Sequence, residues 1–150
     1  MNRQAVVSNA LWGAEVATRQ PKQIHYGEVR PIRGAPRQLP LTTDCSGFVT
    51  LCYQWAGAPD PNGTHYDGTG STGTMLHACA HIRPNEAQLA DLIVFGAAPG
   101  THVVLIVETG PDPVVVSQRV VNSSNTSVIF TDITGGQAMG TVGDRGRFNS

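Results

Sequence analysis

The stretch LTTDCSGFVTLCYQWAG, residues 41–57, decides how the chain is read. Asp44 is a good N-cap, and Phe48, Leu51, Cys52 and Trp55 recur at helical spacing before Gly57, a favourable stop. A helix is therefore predicted from Cys45 to about Ala56. Cys45 falls in its first turn, where unpaired backbone N–H groups and the helix dipole favour an anion, so a lowered thiol pKa is expected. It shares a face with Phe48, Cys52 and Trp55 and is directed at whatever the helix packs on. Cys52, mid-helix among apolar residues, reads as a small hydrophobe. One thiol is placed to react and the other to pack.

Upstream, Val6, Val7, Ala10, Leu11, Ala14 and Ala17 predict an amphipathic helix over residues 3–19, ended by Pro21. Residues 20–43, with Pro21, Pro31, Pro36 and Pro40 and few apolar anchors, read as a long loop on the surface or around a cleft. Downstream, APDPNGTHYDGTGSTG is turn chemistry, and TMLHACAH is a candidate short helix. From Leu89 onward the pattern changes to strands: DLIVF, HVVLIVE, PVVVSQ and SVIFTDI are rich in β-branched residues and bounded by turns. Helices first and strands afterwards predict an α+β fold with N-terminal helices packed on a small antiparallel β-sheet. Residues 139–150 read as a tail.

With 150 residues, the chain is expected to form one domain, and as a monomer. Charged residues at 14% and hydrophobic ones at 40% exclude disorder as the default, and a net charge of −1 without a basic run excludes nucleic acid as a partner. No apolar run is long enough for a membrane span. The opening stretch lacks the apolar core and cleavage site of a secretory signal, so synthesis in a cytoplasm is expected. There an odd count of three cysteines argues against disulfides. A helix also sets Cys45 and Cys52 about 10 Å apart, beyond disulfide reach.

A nucleophilic cysteine needs a base, and the base an orienting group. Among the five histidines, His102 stands at the start of an apolar strand, after GAAPGT, where its ring can sit at the edge of the sheet. With a turn near Gly110 and Pro111, antiparallel pairing sets Ser117 to Arg119 opposite Val103 and His102. Gln118 could then hold an imidazole N–H through its amide oxygen; the alternative is a capping histidine beside a surface glutamine.

DCSGFVTLCYQWAG, then ADLIVFG, then GTHVVLIVE resembles the NlpC-type family of papain-like cell-wall peptidases. The looser pattern ALWGA, IHYGEVRP, DCSGF, AGAPDPNG, GTGSTGT is similar to the peptidase domains of endolysins from phages of actinobacteria. The likeness covers roughly residues 8–135. It implies Cys45 as nucleophile, His102 as general base and Gln118 in the third site, where relatives more often carry a histidine within Ser-His-Gly; Ser117 is the other candidate. It implies Tyr26 as the cleft tyrosine that helps bind the oxyanion, with the Cys45 backbone N–H as second donor. Asp44 and Ser46 resemble the pair that grips the substrate's free amine; from the residues alone they are an N-cap and a first-turn residue.

The implied reaction is hydrolysis of an amide in a peptidoglycan stem peptide, beside D-glutamate and diaminopimelate, through a thioester and without a cofactor. Lacking a signal, the chain fits a phage lysin that reaches the wall through a holin, a virion or lysis. The alternatives are the same fold acting on another amide as amidase, acyltransferase or effector, and a wall-binding module with impaired catalysis. Three further signals carry less. His77 and His81 share a helix face in HACAH, but Cys79 points about 160° away and no third ligand is fixed, so no metal site is expected. GTGSTGT lacks the Lys-Ser/Thr ending of a phosphate loop. Nothing brings Glu15, Glu28 and Glu108 together for glycosidase chemistry.

Overall fold

The computed structural model describes residues 2–79, 81–82, 84–95, 99–100, 102–110, 113–121, 125–132, 138–142 and 147–148. The first helix, α1 (Arg3–Arg19), is capped by the Asn2 side chain, which accepts from the Ala5 N–H at 3.0 Å. Two short strands, β1 (Ile24–Tyr26) and β2 (Leu41–Thr43), pair in parallel and lead into α2 (Cys45–Trp55). They lie in the stretch read from the sequence as a plain loop, because three-residue strands carry too little periodicity to be seen.

After α2 the N–H of Ala58 bonds the Tyr53 carbonyl and that of Gly57 the Gln54 carbonyl, with Gly57 at φ +71°. This glycine-dependent stop is the one the sequence predicts. Next come α3 (Thr72–Ala78) and β3 (His81–Ile82). The chain then supplies β4 (Leu92–Phe95), β5 (His102–Glu108), β6 (Val114–Val121), β7 (Asn125–Asp132), β8 (Ala138–Val142) and β9 (Arg147–Phe148).

The main sheet has five strands in the order β7-β6-β5-β4-β8, every neighbouring pair antiparallel, and β3 pairs in parallel with β9. The α+β layout is thus the expected one. Strands β8 and β9 fall largely within the residues read as a tail. His81 stands in β3, beyond the end of α3, and does not share a helix face with His77.

Alternation along the strands sorts the sheet's side chains into two packed layers. Leu92, Val94, Val103, Leu105 and Val116 join Phe48, Leu51, Cys52, Val6, Ala10 and Ala14 in the main core beneath α1 and α2. Ile82, Ile93, Val104, Ile106 and Val115 form a second layer. Helix α2 is buried from Cys45 through Tyr53, because α1 covers one side and the sheet another. Asn9 is buried in the contact between the helices and donates to the Cys52 carbonyl at 2.9 Å. Arg3 ties the start of α1 to the sheet through Asp91 at 2.8 Å. No helix among the described residues is long and apolar enough to cross a membrane.

Gly13 is where α1 and α2 come closest. A Cβ there would lie 2.5 Å from Cζ of Phe48, a ring with no solvent exposure. Alanine gains about 1 kcal/mol of helix propensity, but overpacking a buried ring costs about 1–3 kcal/mol. Gly13→Ala is expected to lower stability, read as a drop in denaturation midpoint.

Candidate active site

The start of α2 is held by one carboxylate. Asp44 Oδ1 accepts the Gly47 N–H at 2.8 Å, which fixes the first turn and so the direction of the Cys45 side chain. Cys45 is 8% exposed and packs with the main core, facing β5, as its helical face predicts. Its titration differs from expectation. Burial pushes the thiol above its ordinary value; the backbone N–H of Val103 opposes this, the Asp44 charge adds to the rise, and the N–H groups of Ser46 and Cys45 itself oppose it. Helix-terminal N–H groups therefore do act on the sulfur, but desolvation outweighs them. Alkylation of Cys45 by iodoacetamide is expected to rise with pH through an apparent pKa above that of a free thiol, followed by peptide mapping. A rate that is flat down to pH 6 would mean a preformed thiolate.

Tyr26, at the end of β1, lies opposite Thr43 in the β1–β2 register and close to the nucleophile. Burial, then the charges of Cys45, Asp44 and Glu28, push its phenol up, with Arg30 opposing. Its phenol therefore stays protonated near neutral pH.

Arg30 is the residue that the sequence did not single out. Its Nη1 and Nη2 donate to the two Asp44 oxygens at 3.3 and 3.0 Å, and Nη2 donates to Ser46 Oγ at 3.2 Å. Nε and Nη2 also donate to the Gly70 carbonyl at 3.2 and 2.9 Å. Arg30 sits in a proline-rich segment with no periodicity, so only its place in IHYGEVRP could have marked it.

The loop that supplies Gly70 is built around two side chains. Asp60 accepts from the N–H groups of Asn62, Thr64 and Tyr66 at 2.9, 3.3 and 2.8 Å. Burial works against its charge, yet these donors hold it below the usual carboxylate range. Asn62 donates to Thr50 of α2 at 3.0 Å and accepts from Thr74 Oγ1 of α3 at 2.7 Å. The turn-rich stretch is thereby fastened to α2 and α3.

His102 opens β5 as predicted, one residue before the Val103 N–H that acts on Cys45. Its ring stacks on Phe95 across the β4–β5 pair, with centroids 6.3 Å apart and planes at 25°. Phe95 packs against the second layer, whereas Cys45 belongs to the main core. The structure places His102 next in sequence to the Val103 N–H beside Cys45, with its ring stacked on Phe95.

Gln118 is fully buried and ties three strands together. Its amide oxygen accepts from the Thr43 hydroxyl, and its amide nitrogen donates to the His25 carbonyl at 3.0 Å. The β5–β6 register runs from Glu108–Val114 to Leu105–Val116. Beyond Val116, Gln118 engages β1 and β2. Ser117, the other candidate, is buried as well.

Two helices packed on a five-stranded antiparallel sheet, with a cysteine opening the second helix, make up this layout. Solved structures share the fold. The NlpC/p60 domain of the peptidoglycan hydrolase SagA superposes with a TM-score of 0.57 at 18% identity, covering 95% of this chain and 99% of that one. A lipoprotein-like member of the NLP/P60 family from Staphylococcus aureus subsp. aureus Mu50 gives 0.52 at 20% identity, covering 93% of this chain and 40% of that one. What these identities establish is a shared fold. No family model matches the chain, and no curated protein matches it.

Proposed function

We propose that this chain is a peptidoglycan hydrolase, a cysteine endopeptidase that cleaves an amide bond of the stem peptide between D-glutamate and diaminopimelate. The observation that carries the reading is Cys45 at the start of α2, facing β5 in an NlpC-type fold with Tyr26 beside it. Because burial keeps the resting thiol protonated, the attack needs a base. His102, which opens β5 next to Val103, takes that role. Cys45 attacks the carbonyl carbon, the oxyanion is bound by the Tyr26 hydroxyl and the Cys45 N–H, and the amine leaves with the proton held by His102. Water then hydrolyses the thioester. Gln118 supports this site by holding β1 and β2, and hence Tyr26 and Asp44, against the sheet.

The activity is that of a phage endolysin, made in the host cytoplasm and acting on the wall. Mass spectrometry of fragments released from diaminopimelate-type peptidoglycan tests the reading. New carboxyl ends on D-glutamate and new amine ends on diaminopimelate are expected. Release of glycan fragments with intact stems would overturn it.

A further inference from the structure

A guanidinium already lies where the resemblance puts the substrate's ammonium. Arg30 spans both oxygens of Asp44 at 3.3 and 3.0 Å and reaches Ser46 Oγ at 3.2 Å. Its other donors are engaged too, with Gly70 at 3.2 and 2.9 Å and with the Val29 carbonyl at 2.9 Å. Asp44 Oδ1 is further used by the Gly47 N–H at 2.8 Å and the Ser46 hydroxyl at 3.4 Å.

We propose that Arg30 is a built-in cation filling the amine subsite of Asp44 and Ser46, so that the enzyme selects stem peptides whose first residue is N-acylated over stems with a free ammonium. This rests on the hydrolase reading above. An acylated amino end is what a stem carries while it is joined to the glycan; a free one belongs to stems already cut from it.

The charge balance argues for this. A carboxylate spanned by a guanidinium has little attraction left for a second cation, and an ammonium seated there would touch a like charge. Displacing Arg30 instead would break its bonds to Gly70 and Ser46 and leave a largely enclosed cation, its side chain only 26% exposed, without its partner. A neutral amide meets neither cost. The other ionisable groups around the position are Tyr26, Cys45 and Glu28. Glu28 is exposed, and as a solvated carboxylate it offers no comparable seat.

The test uses two synthetic stem tetrapeptides that differ only in a free or an acetylated amino end, with kcat/KM measured for each. The wild-type chain is expected to favour the acetylated peptide by about tenfold or more. Arg30→Lys keeps the preference, and Arg30→Gln brings the ratio close to one. Should Arg30→Gln fail to fold, the wild-type ratio at two pH values still decides. Above the α-amino pKa of about 8 the free peptide loses its charge, so the preference should narrow at pH 9 relative to pH 6.5. Equal or faster cleavage of the free-amine peptide, or a ratio that ignores pH, would overturn the proposal while leaving the hydrolase reading intact. Cleavage of neither peptide would sink both.

Discussion

Cys45→Ala is expected to abolish hydrolysis of stem peptides, a loss of about 10⁴-fold or more in kcat, because the proposed acyl intermediate forms on its thiol. The circular dichroism spectrum should be unchanged. Cys52→Ala is the matched control. Cys52 is fully buried among α1, α2 and the sheet, and its thiol is held protonated by that burial. Its replacement costs packing, about 1 kcal/mol, and leaves turnover within a few-fold. A rate that survives Cys45→Ala would remove the nucleophile from the account.

Gln118→Ala carries the second large effect, and on stability before catalysis. The amide joins Thr43 of β2 and the His25 carbonyl of β1 to β6 inside the core. Without it, the buried Thr43 hydroxyl loses its partner at about 1–3 kcal/mol and the part-buried His25 carbonyl loses another, beside the cavity. A fall in stability of about 2–5 kcal/mol is expected in urea denaturation. Turnover should fall as well, since Tyr26 follows His25 directly and Asp44 follows Thr43. If the pH profile of kcat shifted while stability held, Gln118 would be acting on the imidazole instead.

The elements that periodicity could reveal are those the sequence shows. Val6, Ala10, Ala14 and Ala17 mark α1 and Phe48, Leu51 and Cys52 mark α2, because each helix buries one continuous face, and the β-branched runs mark β4 to β7. Strands β1 and β2 have only three residues each, and what holds them is the Gln118 amide, a contact over 93 positions of sequence from His25. Such a link leaves no local pattern.

The site divides along the same line. Cys45, Asp44 and Tyr26 lie together as their motif implies, since the N-cap and the β1–β2 pairing are short-range features. The thiol departs from the helix-terminus expectation because the terminus is a local property and desolvation a tertiary one, and burial under the sheet outweighs the local N–H groups. Arg30 escaped notice for a related reason. Its partners Asp44, Ser46 and Gly70 come from two other segments that meet only in the fold.

Hydroxylamine partitioning tests the central claim most directly. When stem peptide is digested in its presence, a thioester on Cys45 is intercepted and the new D-glutamate end appears as a hydroxamate in proportion to the hydroxylamine added. The account predicts that product from the wild-type chain and none from Cys45→Ala. Carboxylate alone at every hydroxylamine concentration would mean that water attacks the amide directly, and would contradict nucleophilic catalysis by Cys45.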